Sequence, residues 1–349
     1  MADTSTALPE ITVNRSISTA LLRIFAWAIV VATFVFLINN YLIFWRGWPG
    51  MDVMSAHLGI LSDGAAPPSL TGSAVALGWV QIFSYAFCLI GPILFIKFGA
   101  PRSLRDDSAA MHAISSYIIR TAFWMILFIG LADMVISFLR VEELLGVFFS
   151  DDLVQKMGRS QFRGPYVHLP LTFAALIVAA FSRSLGFPWL ALLVVVAELT
   201  IVITRFVFSY EQAFMGDLVR FWYAGLFLFA SSYTLFADGH VRVDVLYANF
   251  SSRTKGMINA VGSLLLGIVL CWIILIIGMA GKANVINNPL LVLEVSQSGY
   301  GMYVKYLMAG FLAIYAVSMM IQFTSYLLES VADFFNEPGA RQTATDDMP

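Results

Sequence analysis

Asp238–Gly256 reads DGHVRVDVLYANFSSRTKG, with one histidine, three basic residues and two carboxylates. On its N-terminal side runs LVRFWYAGLFLFASSYTLFA, and on its C-terminal side MINAVGSLLLGIVLCWIILIIGMA. A hydrocarbon core needs about 20 apolar residues to cross as a helix, and each flank meets that length. A short polar segment between two such runs is a loop joining two membrane spans. Within it Val241, Val243 and Val245 alternate with Arg242 and Asp244, so an extended backbone sends apolar and charged side chains to opposite faces.

The composition extends this reading to the whole chain. Hydrophobic residues make up 59% of the 349 residues and charged residues 12%, with a mean hydropathy of +0.81. Soluble domains average about 25% charged and 45–50% apolar, so the bilayer is the expected solvent. The net charge is −2 and no basic run occurs, which excludes a nucleic-acid partner. Cys88 and Cys271 both lie in apolar runs and read as packing residues, not as a disulfide or metal site. Residues 1–16 lack the positive start and short apolar core of a cleaved signal peptide, and the N-terminus is expected to be retained.

The fold class is therefore all-α integral membrane protein with about eight transmembrane helices, near 19–45, 72–97, 114–139, 167–183, 186–208, 214–237, 257–280 and 302–332. The fourth and fifth form a tight hairpin around FSRSLGFPW. Between the third and fourth, Val141, Leu144, Leu145 and Phe148 recur at helical spacing ahead of Asp151 and Asp152. That pattern fits an amphipathic surface helix over 140–160 or an extension of the third span. The tail 336–349 is polar and expected to be disordered. Counting Lys and Arg in short loops puts Arg15, Arg23, Lys97, Arg102, Arg105, Arg183, Arg242, Arg253 and Lys255 on the cytoplasmic side. Both termini then lie there too. The other side receives Arg46, Arg205 and Lys282, and Arg140, Lys156, Arg159 and Arg163 offset by nearby carboxylates.

Charges inside spans are costly and have reasons. Glu198 lies near the middle of the fifth span, with Arg205 two turns on. It is either a proton or cation site or a helix-gluing carboxylate bonded to hydroxyls such as Ser231, Ser232 or Thr234. Asp133, two turns from the end of the third span, reads as structural. Asp217 and Arg220, at i and i+3, suit a local ion pair; with Arg205 and Glu211 they form a charged cluster that anchors the hairpin of spans five and six. Haem ligation needs facing histidines at one depth, and His57, His112, His168 and His240 are spread over both sides. No motif for a nucleotide, catalytic triad or metal is present, so neither enzyme activity nor a cofactor is expected.

GHVRVDVLY, Gly239–Tyr247, resembles the signature of the small membrane subunit (the Q, or DctQ-type, subunit) of tripartite ATP-independent periplasmic (TRAP) transporters. TRFVFS at Thr204–Ser209 resembles the end of that family's first helix. GDLVRFWYAGLFLFASSYTL from Gly216 resembles its second, with Asp217 and Arg220 ahead of the aromatics Phe221–Tyr223. SSRTKGMINAVGSLLLGIVLCW is similar to the basic turn into the third helix, and residues 302–332 supply the fourth. The resemblance covers about 186–335. It divides the chain into an N-terminal extension, 1–183, with about four spans, and a DctQ-type four-helix domain, 184–335. The extension matches no motif of the family, although LFIKFGAPRSLRD faintly echoes LFADGHVRVD and admits an internal duplication.

The resemblance implies a multi-pass inner-membrane protein that braces a large (M) permease subunit. It also implies a periplasmic substrate-binding protein that delivers an organic acid, with sodium coupling in the large subunit and no cofactor here. Glu198, Arg205, Asp217, Arg220, His240, Arg242 and Asp244 are the candidate structural or interface residues, and the large subunit, the binding protein and membrane lipids the expected partners. Two alternatives stay open: a membrane anchor of a redox enzyme, against which the missing histidine pair speaks, and a self-sufficient secondary transporter, for which Glu198 is the support.

Overall fold

A computed structural model describes residues 17–60, 70–183, 186–210, 212–237, 247–296 and 301–340. Eight helices among them are long and apolar enough to cross a membrane: α1 Ile17–Arg46, α2 Gly72–Phe98, α3 Leu104–Val141, α4 Ser160–Phe181, α5 Phe187–Val207, α6 Ala213–Phe236, α7 Ser252–Met279 and α8 Lys305–Phe334. The described residues contain no strand. The all-α membrane class and the eight spans read from the sequence are therefore those of the molecule.

Local chemistry explains where the helices begin. Ser103 and Asp106 close a capping box on α3: Ser103 Oγ accepts from the Asp106 amide at 3.1 Å and Asp106 Oδ2 accepts from the Ser103 amide at 2.9 Å, satisfying two otherwise orphaned donors. This starts α3 ten residues before the apolar run signals a span. Ser251 Oγ caps α7 in the same way, from the Thr254 amide at 3.3 Å. At the α4–α5 turn Gly186 has φ +68°, and a Cβ there would lie 2.2 Å from the Phe123 ring. Glycine is required twice over, for the left-handed backbone and for the close approach to α3.

α3 and α8 form the axis of the bundle. α8 packs against α1, α3, α6 and α7, and α3 against α4, α6 and α8, whereas α2 rests on α1 and α5 on α6. Accordingly half of the α8 span is buried and only 17% of α2 and α5. One apolar core gathers Ile119–Ile129 of α3 with Ala175, Leu190, Val194, Trp222, Phe229 and Phe311. The other joins Ala26 and Val30 of α1 to Met111, Cys271, Leu275, Met320 and Leu328. Only α3 and α8 carry residues far into both.

The 140–160 region departs from both expectations. α3 ends at Val141, and two short helices follow, Leu145–Phe148 and Asp151–Met157, broken at Phe149 and Ser150. Leu145 is buried while Val147 and Phe148 are exposed, so the apolar residues are split between the bundle and its surroundings. The periodicity is real but the helix is too short to use it.

Small residues set the α3–α6 distance. A Cβ at Gly130 would come within 2.3 Å of Trp222 Nε1, and that buried indole donates to the Ile126 carbonyl at 3.2 Å. Gly130→Ala should therefore lower the unfolding free energy in detergent by about 1–3 kcal/mol, as overpacking does. Gly262→Ala, where nothing lies within 4 Å, should not.

Candidate functional site

The amides of Met302 and Tyr303, just before α8, are each taken by a carboxylate. Asp217 Oδ2, from the first turn of α6, accepts from the Met302 amide at 3.0 Å and from Ser296 Oγ at 3.1 Å. Asp133 Oδ2, from α3, accepts from the Tyr303 amide at 2.7 Å. Both amides lie ahead of the helix and outside its hydrogen-bond ladder, and one carboxylate from each half of the chain supplies their acceptors.

Asp217 also meets Arg220 Nη1 at 3.4 Å, the i, i+3 pair that the spacing suggests. Arg220 is 73% exposed, so this pair adds little; the amide contact is the larger role of Asp217. Arg205 is exposed and joins no ion pair among the described residues. Glu211 lies outside them, and of the four-residue charged cluster the described residues hold the Asp217–Arg220 pair.

Asp133 is the centre of a closed network. Its side chain and that of Arg163 have no exposed surface. Arg163 Nη1 donates to Asp133 Oδ1 at 2.7 Å and to Ser137 Oγ at 3.2 Å, and its Nε to the Met157 carbonyl at 2.6 Å. His168 Nε2 stands 3.3 Å from Asp133 Oδ1 and Nδ1 2.6 Å from the Tyr306 hydroxyl. One ring nitrogen thus faces the carboxylate and the other the tyrosine hydroxyl. A π-helical turn at Gly164–His168 closes i to i+5, which brings Arg163 and His168 to the same side of α4.

The Tyr303 ring lies between two guanidinium groups, Arg163 at 4.3 Å and Arg140 at 4.8 Å. Its hydroxyl donates to the Gly158 carbonyl at 2.9 Å. Arg140 adds bonds to that hydroxyl at 2.5 Å and to the Gly301 carbonyl at 2.8 Å. Sequence reasoning placed Asp133 near an interface as a structural residue and had no reason to join it to Arg163, His168, Tyr303 or Tyr306. The signal was there only in part: a mid-span carboxylate needs donors, but periodicity does not say which helix brings them.

From this end a line of polar contacts runs down α3 and, antiparallel, up α8. Ser115 Oγ donates to the Ser318 carbonyl at 3.0 Å. His112 Nδ1 meets Gln322 Oε1 at 2.9 Å. Ser108 and Ser325 bond reciprocally to each other's carbonyls at 2.9 and 2.8 Å. Arg105 then pairs with Glu329 and, at 2.8 Å, with Asp333, and donates to the Glu337 carbonyl. Beyond α8, burial pushes the Glu337 carboxyl above the usual carboxylate range. Arg23 of α1 closes this end on the buried Asp107 at 2.5 Å.

Glu198 takes no part in any of this. It is exposed on α5 and makes no hydrogen bond or ion pair with a described residue. The hydroxyls proposed to hold it are engaged elsewhere: Ser231 with the Phe227 carbonyl, Ser232 with Ser115, and Thr234 with the Ala230 carbonyl. His240, Arg242 and Asp244 lie outside the described residues. No group of three or more His, Cys, Asp or Glu among the described residues could hold a metal.

Chemically the Asp133 network is a fastener. Both carboxylate oxygens and both imidazole nitrogens are occupied within the chain, while Arg163 Nη2 is buried without a partner among the described residues. Removing one partner of a buried ion pair strands the other, at about 3–5 kcal/mol. Asp133→Ala should cost that much in unfolding free energy, and Asp133→Ala with Arg163→Met should cost less than the two single changes together. Arg220→Ala should cost under about 1 kcal/mol.

Residues 191–331 match the family model of the tripartite ATP-independent periplasmic transporters, DctQ component. No curated protein and no solved structure matches the chain. The matched stretch runs from near the start of α5 to the last turn of α8, taking in Asp217, the Met302 and Tyr303 amides and the α8 side of the polar seam from Ser318 to Glu329. Over these residues the chain is similar to the DctQ component of the tripartite ATP-independent periplasmic transporters.

Proposed function

We propose that this chain is the small permease subunit that braces a large permease subunit during sodium-coupled uptake of an organic acid delivered by a periplasmic binding protein. The family match over α5–α8 carries the reading. The closed polar seams support it, because a brace must hold its shape while a moving partner works against it. Sodium and substrate sites belong, in this reading, to the large subunit, and the chain by itself needs no cofactor. Reconstituted alone it should move no organic acid; sodium-driven uptake by the isolated chain would overturn the proposal.

Glu198 is the proposed contact with the large subunit. A carboxylate at a helix centre costs roughly 2.5–3.5 kcal/mol on insertion scales, and the bundle offers it no donor. A donor on a helix of the large subunit would remove that cost, with interhelical hydrogen bonds contributing about 0.6–2 kcal/mol. Glu198→Gln should preserve assembly and most uptake, whereas Glu198→Leu should weaken assembly within that range. An assembled but inactive Glu198→Gln complex would instead mean that the carboxylate carries a proton or cation. Arg205, Arg242 and Asp244 are assigned to the same partner or to headgroups, and His240 to a local network in its loop.

The placement is the bacterial inner membrane, with both termini and the 239–256 loop cytoplasmic. Cys88 and Cys271 are buried and can be replaced. In that background single cysteines at Asp152, whose side chain is 72% exposed, and at the exposed Ser252 should label from opposite sides with an impermeant thiol reagent. Labelling of both from one side would refute the arrangement.

A further inference from the structure

Most arginines in the membrane-spanning helices have an acceptor: Arg23 has Asp107, Arg105 has Glu329 and Asp333, Arg140 has Gly301, and Arg163 has Asp133. Arg120, within α3, has none among the described residues, and its Nε is buried without a partner. Two further donors of α3, Thr121 Oγ1 and Trp124 Nε1, are also buried and unpartnered. The Nη nitrogens of Arg120 are not among the buried orphans, so the guanidinium tip is open at the surface of the bundle. A guanidinium in a membrane span whose tip is open and has no acceptor among the described residues calls for an oxyanion from outside the chain.

The fold shows where that oxyanion comes from. The Tyr117 hydroxyl donates to the Leu176 carbonyl of α4 at 3.0 Å, and Phe123 packs on Gly186. Arg120 is thus bracketed by contacts with the α4–α5 hairpin and lies beside its turn, which carries the exposed Arg183. Aromatic side chains with polar edges ring the same level: Tyr117, Trp124, Tyr233 against Phe187, and Trp189, which is 68% exposed. Tyrosine and tryptophan concentrate at headgroup depth. Side chains on a helix lean toward its N-terminus, which carries the guanidinium toward the same end of the bundle as that turn.

We infer that Arg120, with the exposed Arg183, binds the headgroup phosphate of a membrane phospholipid beside the α4–α5 turn. The diester phosphate supplies two charged oxygens, enough for the guanidinium and a neighbouring donor, and its acyl chains lie along the exposed apolar surface of the hairpin, including Phe181 and Phe173. The site is in the N-terminal extension, outside the residues that match the family model. It requires only that the chain is embedded in a bilayer, and stands or falls independently of the transport reading.

The test uses the full chain purified in detergent, titrated in mixed micelles with phosphatidylglycerol, diacylglycerol or inorganic phosphate, and read by native mass spectrometry and thermal shift. Wild type should retain phosphatidylglycerol and be stabilised by it, and neither diacylglycerol nor inorganic phosphate should substitute. Arg120→Gln should weaken phosphatidylglycerol binding at least about tenfold, as loss of a charge-assisted pair does, and Arg120→Lys less. If Arg120→Gln does not fold, Arg183→Gln should show a smaller loss in the same assay. Equal retention in wild type and the variants, or binding of diacylglycerol, would overturn the site. Protection by inorganic phosphate would overturn the lipid assignment. Unchanged lipid binding with failed assembly on the large subunit would mean that Arg120 meets a carboxylate of that subunit instead.

Discussion

Two carboxylates hold two consecutive backbone amides, and the position of α8 follows. A backbone N–H left without an acceptor at membrane depth costs several kcal/mol, and Met302 and Tyr303 precede the first turn of a 30-residue helix. Asp217 answers one amide from α6 and Asp133 the other from α3. The two aspartates therefore fix where α8 enters the bundle. Since α8 touches α1, α3, α6 and α7, that entry point propagates to most of the other helices.

The seam below is graded in a way that the energetics favour. Its middle uses serines, a histidine and a glutamine, which let backbones come close and carry little desolvation cost. Ion pairs appear only at its ends. At the Asp133 end the pair is fully buried and tied to His168, the Tyr303 amide and Ser137, the condition under which a buried pair is tolerated. At the Arg105 end Glu329 and Asp333 keep 19% and 37% of their side-chain surface, so desolvation is lighter and geometry can be looser. One end is a fixed joint and the other a wetter one.

The sequence made the spans legible because apolar length is a one-dimensional property. It made the Asp217–Arg220 pair legible because i, i+3 is a local rule, and the Gly186 turn legible as a tight hairpin between two apolar runs. What it could not show is pairing between distant helices. Asp133, Arg163, His168 and Tyr303 are joined only through α3, α4 and the segment before α8, and no spacing along the chain encodes that. The start of α3 was missed for a different reason. Its first turns are capped by Ser103 and Asp106 and carry Arg105, Asp107, Ser108 and His112, whose work is to grip α1 and α8, so hydropathy discounts them. Over 140–160 the periodicity misled, because one apolar face can be divided among short helices at the rim.

Charged side chains without any partner among the described residues are informative in a bundle whose ion pairs are mostly internal. The hydroxyls near α5 return their protons to their own helices or to α3, and every charge around α8 has a partner. Glu198 is an acceptor without a donor on the exposed side of α5, and Arg120 a donor without an acceptor beside the α4–α5 turn. Both lie around the same hairpin, which is also among the least buried parts of the molecule. A helix that packed for its own stability would have replaced such residues with leucine at no structural loss, since neither contributes a bond to the fold. Their cost is recovered only by groups outside the chain. The hairpin is thus the part of the bundle whose chemistry is written for its surroundings, a carboxylate for a neighbouring helix and a guanidinium for a phosphate, while α3 and α8 hold it in place.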